Sequence, residues 1–186
     1  MTRLTDLTSY ADAQAQFAPA RLWELFDGSR DRLNIAYECI DRHVGRSDPA
    51  VIVVRADGGH EVLGFQTIAE DSARFAHWLA AEGVQPGDRV AIMLEPSRAF
   101  YAAVFGTMKR GAIAVPLFTL FGPDGVRLRV EDCTPRMLVT NTEKAPLLAS
   151  AGTRLVVADD AFLPGLAGLP SRYDVDTSSD ALAIFQ

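Results

Sequence analysis

Val84-Gln85-Pro86-Gly87-Asp88-Arg89-Val90-Ala91-Ile92-Met93-Leu94 reads as a tight turn feeding a strand that is covered on both faces. Proline fixes the first turn angle at Pro86, and glycine tolerates the positive one at Gly87. Val90 to Leu94 is apolar without alternation, the pattern of a parallel strand held between helix layers. Just upstream, Ile68, Ser72, Phe75, Ala76 and Leu79 recur at spacings of three and four, which predicts a helix from Gly64 to about Glu82. Gly83 occupies its left-handed C-cap, and Pro86 prevents continuation.

Downstream the same unit recurs. Ser97 is placed to cap a second helix with Phe100, Val104 and Met108 on one face and Gly111 at its end. Ile113 to Leu117 is a second apolar strand. Gly122-Pro123 opens a third helix, since proline is preorganised for the first helical position, and Thr134-Pro135 closes it. Met137 to Val139 is a third strand, Thr142 begins a further helix, and Leu155 to Val157 is a fourth strand. Alternating strands and helices predict an α/β fold: a mainly parallel sheet with right-handed crossovers and helices on both faces.

Before this series, Ala50 to Val54 and Glu61 to Phe65 flank Asp57-Gly58-Gly59, which reads as a β-hairpin. Arg21 to Phe26 and Leu33 to His43 read as short helices. The expected organisation is a helical lead-in over 1–47, an α/β subdomain with hairpin and sheet over 48–160, and over 161–186 a loop and the start of a strand. That last strand, Ala181 to Phe185, begins where the sequence stops. The expectation is an N-terminal fragment whose strand partners lie further on; the competing reading is a terminal edge strand.

Of the 186 residues, 48% are hydrophobic and 23% charged, which is ordinary for a globular chain and argues against wholesale disorder. A net charge of -6 disfavours a nucleic-acid partner, whose phosphates call for a basic footprint. No run approaches the roughly 20 apolar residues of a membrane span, and Met1 to Tyr10 is too polar for a signal peptide, so the cytoplasm is the expected location. Cys39 and Cys133 lack a Cys-x-x-Cys or His-bearing context and read as buried, reduced thiols.

Phosphate-binding glycine loops and nucleophile elbows are absent from the sequence. His43, His60 and His77 are scattered; His77, beside Trp78, reads as a helix residue rather than a ligand. The adjacent acids Glu70-Asp71 and Glu131-Asp132 point to different helix faces, so they read as solvated groups and not as catalytic dyads. In open parallel sheets, ligands sit at the carboxyl ends of the strands. The candidates are therefore Glu95-Pro96-Ser97, Phe118-Thr119-Leu120-Phe121-Gly122 and Asn141-Thr142. The middle run is apolar for a loop, which marks either a surface covered by a neighbouring domain or a ligand wall.

Three segments in register resemble the AMP-dependent synthetases. Val84 to Ile92 is similar to their GV-x-x-GDRVAI stretch, Met108 to Leu117 to x-K-x-GA-x-x-VP-L, and Glu131 to Val139 to D-x-x-P-x-x-(I/V). The likeness covers about Leu63 to Gln186. In that superfamily a strand like Asp180 to Gln186 leads into a Thr-Ser-Gly-rich loop around the ATP phosphates. The family's capping Thr or Ser before the first helix is replaced here by Gly64, with Thr67 and Glu70 placed for a substitute capping box.

The resemblance implies the large N-terminal domain of an adenylate-forming enzyme that activates a carboxylic acid with ATP and Mg and then forms a CoA thioester. The remainder of that enzyme would be this chain's partner, homodimerisation is open, and the chain alone is expected to be inactive. Catalytic and metal-binding residues are assigned to none of these positions. Phe118, Thr119 and Leu120 fall on the loop that, in the acetyl- and medium-chain acyl-CoA synthetases, contributes to the CoA nucleotide site. That branch often carries glycines there, and a basic residue that would fall near Lys144 or Pro146. A carrier-protein-linked adenylation domain and a short α/β binding or scaffold protein are the competing readings.

Overall fold

The computed structural model describes residues 3–185. A lead-in holds α1 (Tyr10–Gln16), a 3-10 helix over Pro19–Leu25, α2 (Ile35–Cys39) and a 3-10 turn at Asp41–His43. Helix α1 went unforeseen, although Ser9 caps it by accepting the Asp12 N–H at 3.0 Å. Of the two expected lead-in helices, the first is a tighter 3-10 helix and the second is split in two. Pro19 starts the first as a 3-10 helix, and the non-helical backbone of Ile40, with φ -124°, interrupts the second.

Strands β1 (Pro49–Val54) and β2 (His60–Gly64) form the expected antiparallel hairpin, with Val54 opposite His60. Phe65 lies outside the strand and begins α3 (Phe65–Ala81), because Gly64 is its N-cap. No capping box forms at Thr67; Glu70 instead accepts from Gln66 one turn back and pairs with Arg74. The face of α3 predicted from Ile68, Ser72, Phe75, Ala76 and Leu79 is buried throughout. Gly83 and Gly87 both take positive φ, +80° and +83°, and Asp88 N–H closes the Pro86-Gly87 turn onto the Gln85 carbonyl.

Four strands follow: β3 (Arg89–Met93), β4 (Ile113–Pro116), β5 (Met137–Thr140) and β6 (Leu155–Val157). They form one sheet in the order β4-β3-β5-β6, every pair parallel. Helix α4 (Arg98–Lys109) joins β3 to β4, and α5 (Pro123–Cys133) joins β4 to β5. The chain steps one way from β3 and the other way from β4, so right-handed crossovers put these helices on opposite faces. The β3 residues divide accordingly. Val90, Ile92 and Leu94 pack with Phe75, Leu79, Val104 and Met108, whereas Ala91 and Met93 pack with Val126, Val130 and Leu148.

The helix expected from Thr142 is instead a 3-10 turn at Ala145–Leu148. Asn141 accepts the Lys144 N–H at 2.9 Å, a local turn that competes with an α-helical start. Beyond β6, α6 (Phe162–Gly165) occupies the beginning of the expected loop. Ala181 to Phe185 is not a full strand. Its contact with the sheet is a single parallel bridge, Ile184 to Ala114.

Several long-range contacts hold these layers together. Gly106 lets α4 approach α3: a β-carbon there would sit 2.7 Å from the Ser72 carbonyl and 2.8 Å from Phe75. Asp71, expected in solvent, is buried between α3 and α4, where Arg98 grips it with two hydrogen bonds of 2.5 and 3.1 Å. Lys109 is buried too, donating to Asp41 at 2.7 Å and to the Ala69 carbonyl at 2.9 Å. Thr134 ends α5 at φ 43°, the single non-glycine with positive φ among the described residues. Arg89, at the start of β3, holds that cap through the Cys133 and Thr134 carbonyls at 2.8 and 3.0 Å. Finally, the segment at 172–179 straps back over the lead-in. Leu33 N–H donates to the Thr177 carbonyl at 2.7 Å, and Asn34 donates to Met108 O and Thr177 Oγ1.

Candidate functional site

The three candidate loops all leave the carboxyl end of the sheet: Leu94 to Ser97 after β3, Leu117 to Gly122 after β4, and Asn141 to Lys144 after β5. Beside β3 and β5 lies a polar cleft of about 440 Å³ lined by Arg55, Glu95, Arg98, Asn141 and Asp159 among others. Its arginines are already engaged, Arg55 with Glu61 at 3.3 Å and Arg98 with Asp71. The Asp71 hydrogen bonds hold the Arg98 guanidinium above its ordinary range, so it stays a cation. Ser97 is committed to capping α4, accepting the Phe100 N–H at 3.2 Å.

The loop after β4 is different. Leu117, at the end of the strand, is 6% exposed, but Phe118 is 60% exposed and Leu120 76%. Thr119 and Phe121 are half-buried. The loop thus holds Phe118, Thr119 and Leu120 together at the strand's carboxyl end and leaves two of the three open despite their apolar character. Phe121 N–H donates to the Phe118 carbonyl at 3.0 Å, closing a tight turn. The rings of Phe118 and Phe121 meet edge to face, with centroids 5.7 Å apart.

Beside this turn runs a groove of about 560 Å³ bounded by Val115, Phe118, Phe121, Leu128, Arg129 and Phe185, among others. Its wall is mainly apolar, with the Arg129 guanidinium and the Asp132 carboxylate as its charged groups. Cys133 borders it, but burial pushes that thiol up and keeps it protonated. Cys39, at the end of the short helix α2, is exposed rather than buried. Among the described residues, no three His, Cys, Asp or Glu side chains converge to hold a metal ion. His77 is a packing residue: its Nε2 meets the Arg172 carbonyl at 2.8 Å and its ring makes a T-shaped contact with Tyr173. Lys144 pairs with Glu143 at 3.6 Å, and Pro146 lies in the 3-10 turn.

Sequence reasoning missed Arg129. Its guanidinium lies over the Phe121 ring, 3.7 Å from the centroid. Because Phe121 precedes the helix that carries Arg129, no helical period links the two. Among the described residues, no helix is long and apolar enough to cross a membrane.

Comparison with known proteins agrees with this architecture. The acyl-CoA synthetase of Brucella canis superposes over 96% of this chain and 35% of its own, with a TM-score of 0.83 and 29% identity. The acetyl-coenzyme A synthetase of Novosphingobium aromaticivorans is 34% identical over 133 residues, which is 66% of this chain and 20% of that protein. That of Syntrophus aciditrophicus is 31% identical over 118 residues, 62% of this chain and 18% of its own length. The chain thus spans about a fifth of the length of the curated relatives it matches. The family described as "AMP-binding enzyme" matches residues 40–181, from the end of α2 through the whole parallel sheet, and the chain belongs to that family.

Proposed function

We propose that this chain is the N-terminal portion of an acyl-CoA ligase. In the proposed reaction, a carboxylate oxygen attacks the α-phosphorus of ATP, the bond to the β-phosphate breaks and pyrophosphate leaves. The CoA thiol then attacks the acyl carbonyl, and AMP departs as the thioester forms. The observation that carries the reading is the superposition of nearly the whole chain, parallel sheet included, on an acyl-CoA synthetase.

In this reading Phe118, Thr119 and Leu120 form the CoA side. The exposed ring and Leu120 offer apolar surface to a flat base, and the half-buried Thr119 offers a hydroxyl beside them. The described residues bring no converging carboxylates to a cation and the sequence holds no glycine-rich anion loop, so no ATP or Mg step is assigned to them. A cytoplasmic setting fits the proposed substrates.

Catalysis of adenylation depends on preorganised donors and charge at the phosphates, each worth roughly 10²–10³ in rate. Carboxylate-dependent exchange of pyrophosphate into ATP tests the assignment. Residues 1–186 are expected to give background signal and the whole ligase robust exchange; exchange by residues 1–186 alone would show that a phosphate site exists among them.

A further inference from the structure

Two arginines on α5 stand two residues apart and behave differently. Arg127 reaches Asp124 and Glu131, both at 3.3 Å, as exposed helix arginines commonly do. Arg129 enters no ion pair among the described residues. It folds back toward the start of its helix, where Nη1 donates to the Gly125 carbonyl at 2.9 Å. From there its guanidinium covers Phe121 at 3.7 Å, a distance at which a planar cation stacks on the negative face of an aromatic ring.

The loop has few other restraints. Gly122, the N-cap of α5, supplies no side-chain hydrogen bond to fix the helix entry. The 118–121 turn is closed by one backbone hydrogen bond and by the edge contact between Phe118 and Phe121. Phe118 and Leu120 are largely in solvent. Phe121 ties this apolar turn to the rigid helix: one side of it packs against the core beside Val126 and Val130, and the Arg129 guanidinium covers its ring face.

We infer that Arg129 is a positioning residue for the thiol substrate: its stack on Phe121 sets the shape in which Phe118, Thr119 and Leu120 meet CoA. This rests on the CoA-side reading given above. Arg129 acts through Phe121 and is assigned no contact with the reacting atoms.

The test uses the whole ligase and two variants. Arg129→Met keeps the length of the side chain and removes the charge, whereas Arg129→Lys keeps a cation and loses the plane. Deuterium exchange of the peptide spanning 117–123 reports loop order, and the Michaelis constants for CoA and ATP report the two substrates. Arg129→Met is expected to speed exchange in that peptide and to raise KM for CoA about fivefold, the factor matching a ring-face cation contact of ordinary strength. KM for ATP should hold, and Arg129→Lys should fall between Met and the native enzyme. A merely structural role would disturb ATP and CoA alike. Unchanged exchange at 117–123, or equal effects on both substrates, overturns the inference. Thr119→Trp separates the two levels of the argument. If it raises KM for CoA and Arg129→Met does not, the positioning role fails and the CoA reading stands. If neither changes KM for CoA, that reading fails and the inference falls with it.

Discussion

Leu117 and Phe118 are neighbours in the chain and belong to different regimes. Leu117 closes the core on the α5 face of the sheet, packed with Val126, Val130 and Leu138, where side chains are fixed by many neighbours. Phe118 opens a turn held at a few points and otherwise facing solvent. A side chain in the sheet is determined by many partners at once, so losing one is expensive and changing the fold is hard. The loop is determined by two or three contacts, so its stability cost is low and its shape can be tuned without disturbing the sheet.

The largest expected effect lies on the sheet side. Ile92 is fully buried at the centre of β3, and Ile92→Ala should lower unfolding free energy by about 2–5 kcal/mol through lost burial and the cavity left behind. Urea denaturation measures it; a loss below 1 kcal/mol would mean the sheet is no better packed than the loop.

A smaller effect tests the polar seam between the lead-in and α4. Burial holds the Lys109 ammonium below its ordinary range, outweighing the pull of Asp41, whose own carboxyl is pushed up by burial. From that lowered value up to the ordinary lysine value of about 10.4 the unfolded chain carries more of this proton, so Lys109 makes stability rise with pH across that window. Lys109→Met removes the titration. The native chain should therefore gain stability relative to the variant as pH climbs through the window, and parallel curves would contradict the buried charge.

The smallest effect belongs to the loop. Leu120→Ala removes a side chain that is mostly in water and should move stability by no more than about 0.5 kcal/mol. A larger loss would mean that Leu120 is covered in the folded chain, and the contrast between sheet and loop would collapse.

This contrast also explains what could be read from residues alone. The four strands were legible because Val90 to Leu94 and its counterparts are uninterrupted apolar runs bounded by Gly and Pro, and a covered parallel strand has few alternatives. Helix α3 was legible because its buried face repeats at the helical period. The exposure of Phe118 and Leu120 runs against their apolar composition, and it was expected only because the loop reads as a surface that something else covers. Asp71 was not legible: beside Glu70 it looks like a surface acid, and Arg98 lies 27 residues further on, reached only because Gly106 lets α3 and α4 close together. Arg129 was hidden for a related reason, since nothing local separates it from Arg127. The helix expected after Asn141 lost to local hydrogen bonding that a helix-favouring pattern does not register.

The clasp between Asn34 and Thr177 has a consequence for the timing of assembly. Its two halves are 143 residues apart in the chain, and at a synthesis rate of roughly 5–20 residues per second the second half is made roughly 7–30 s after the first. Hairpin, α3 and the first parallel strands can form on the nascent chain within that interval. Asn34 cannot gain its Thr177 partner until the strap arrives, so the segment made among the first is secured among the last.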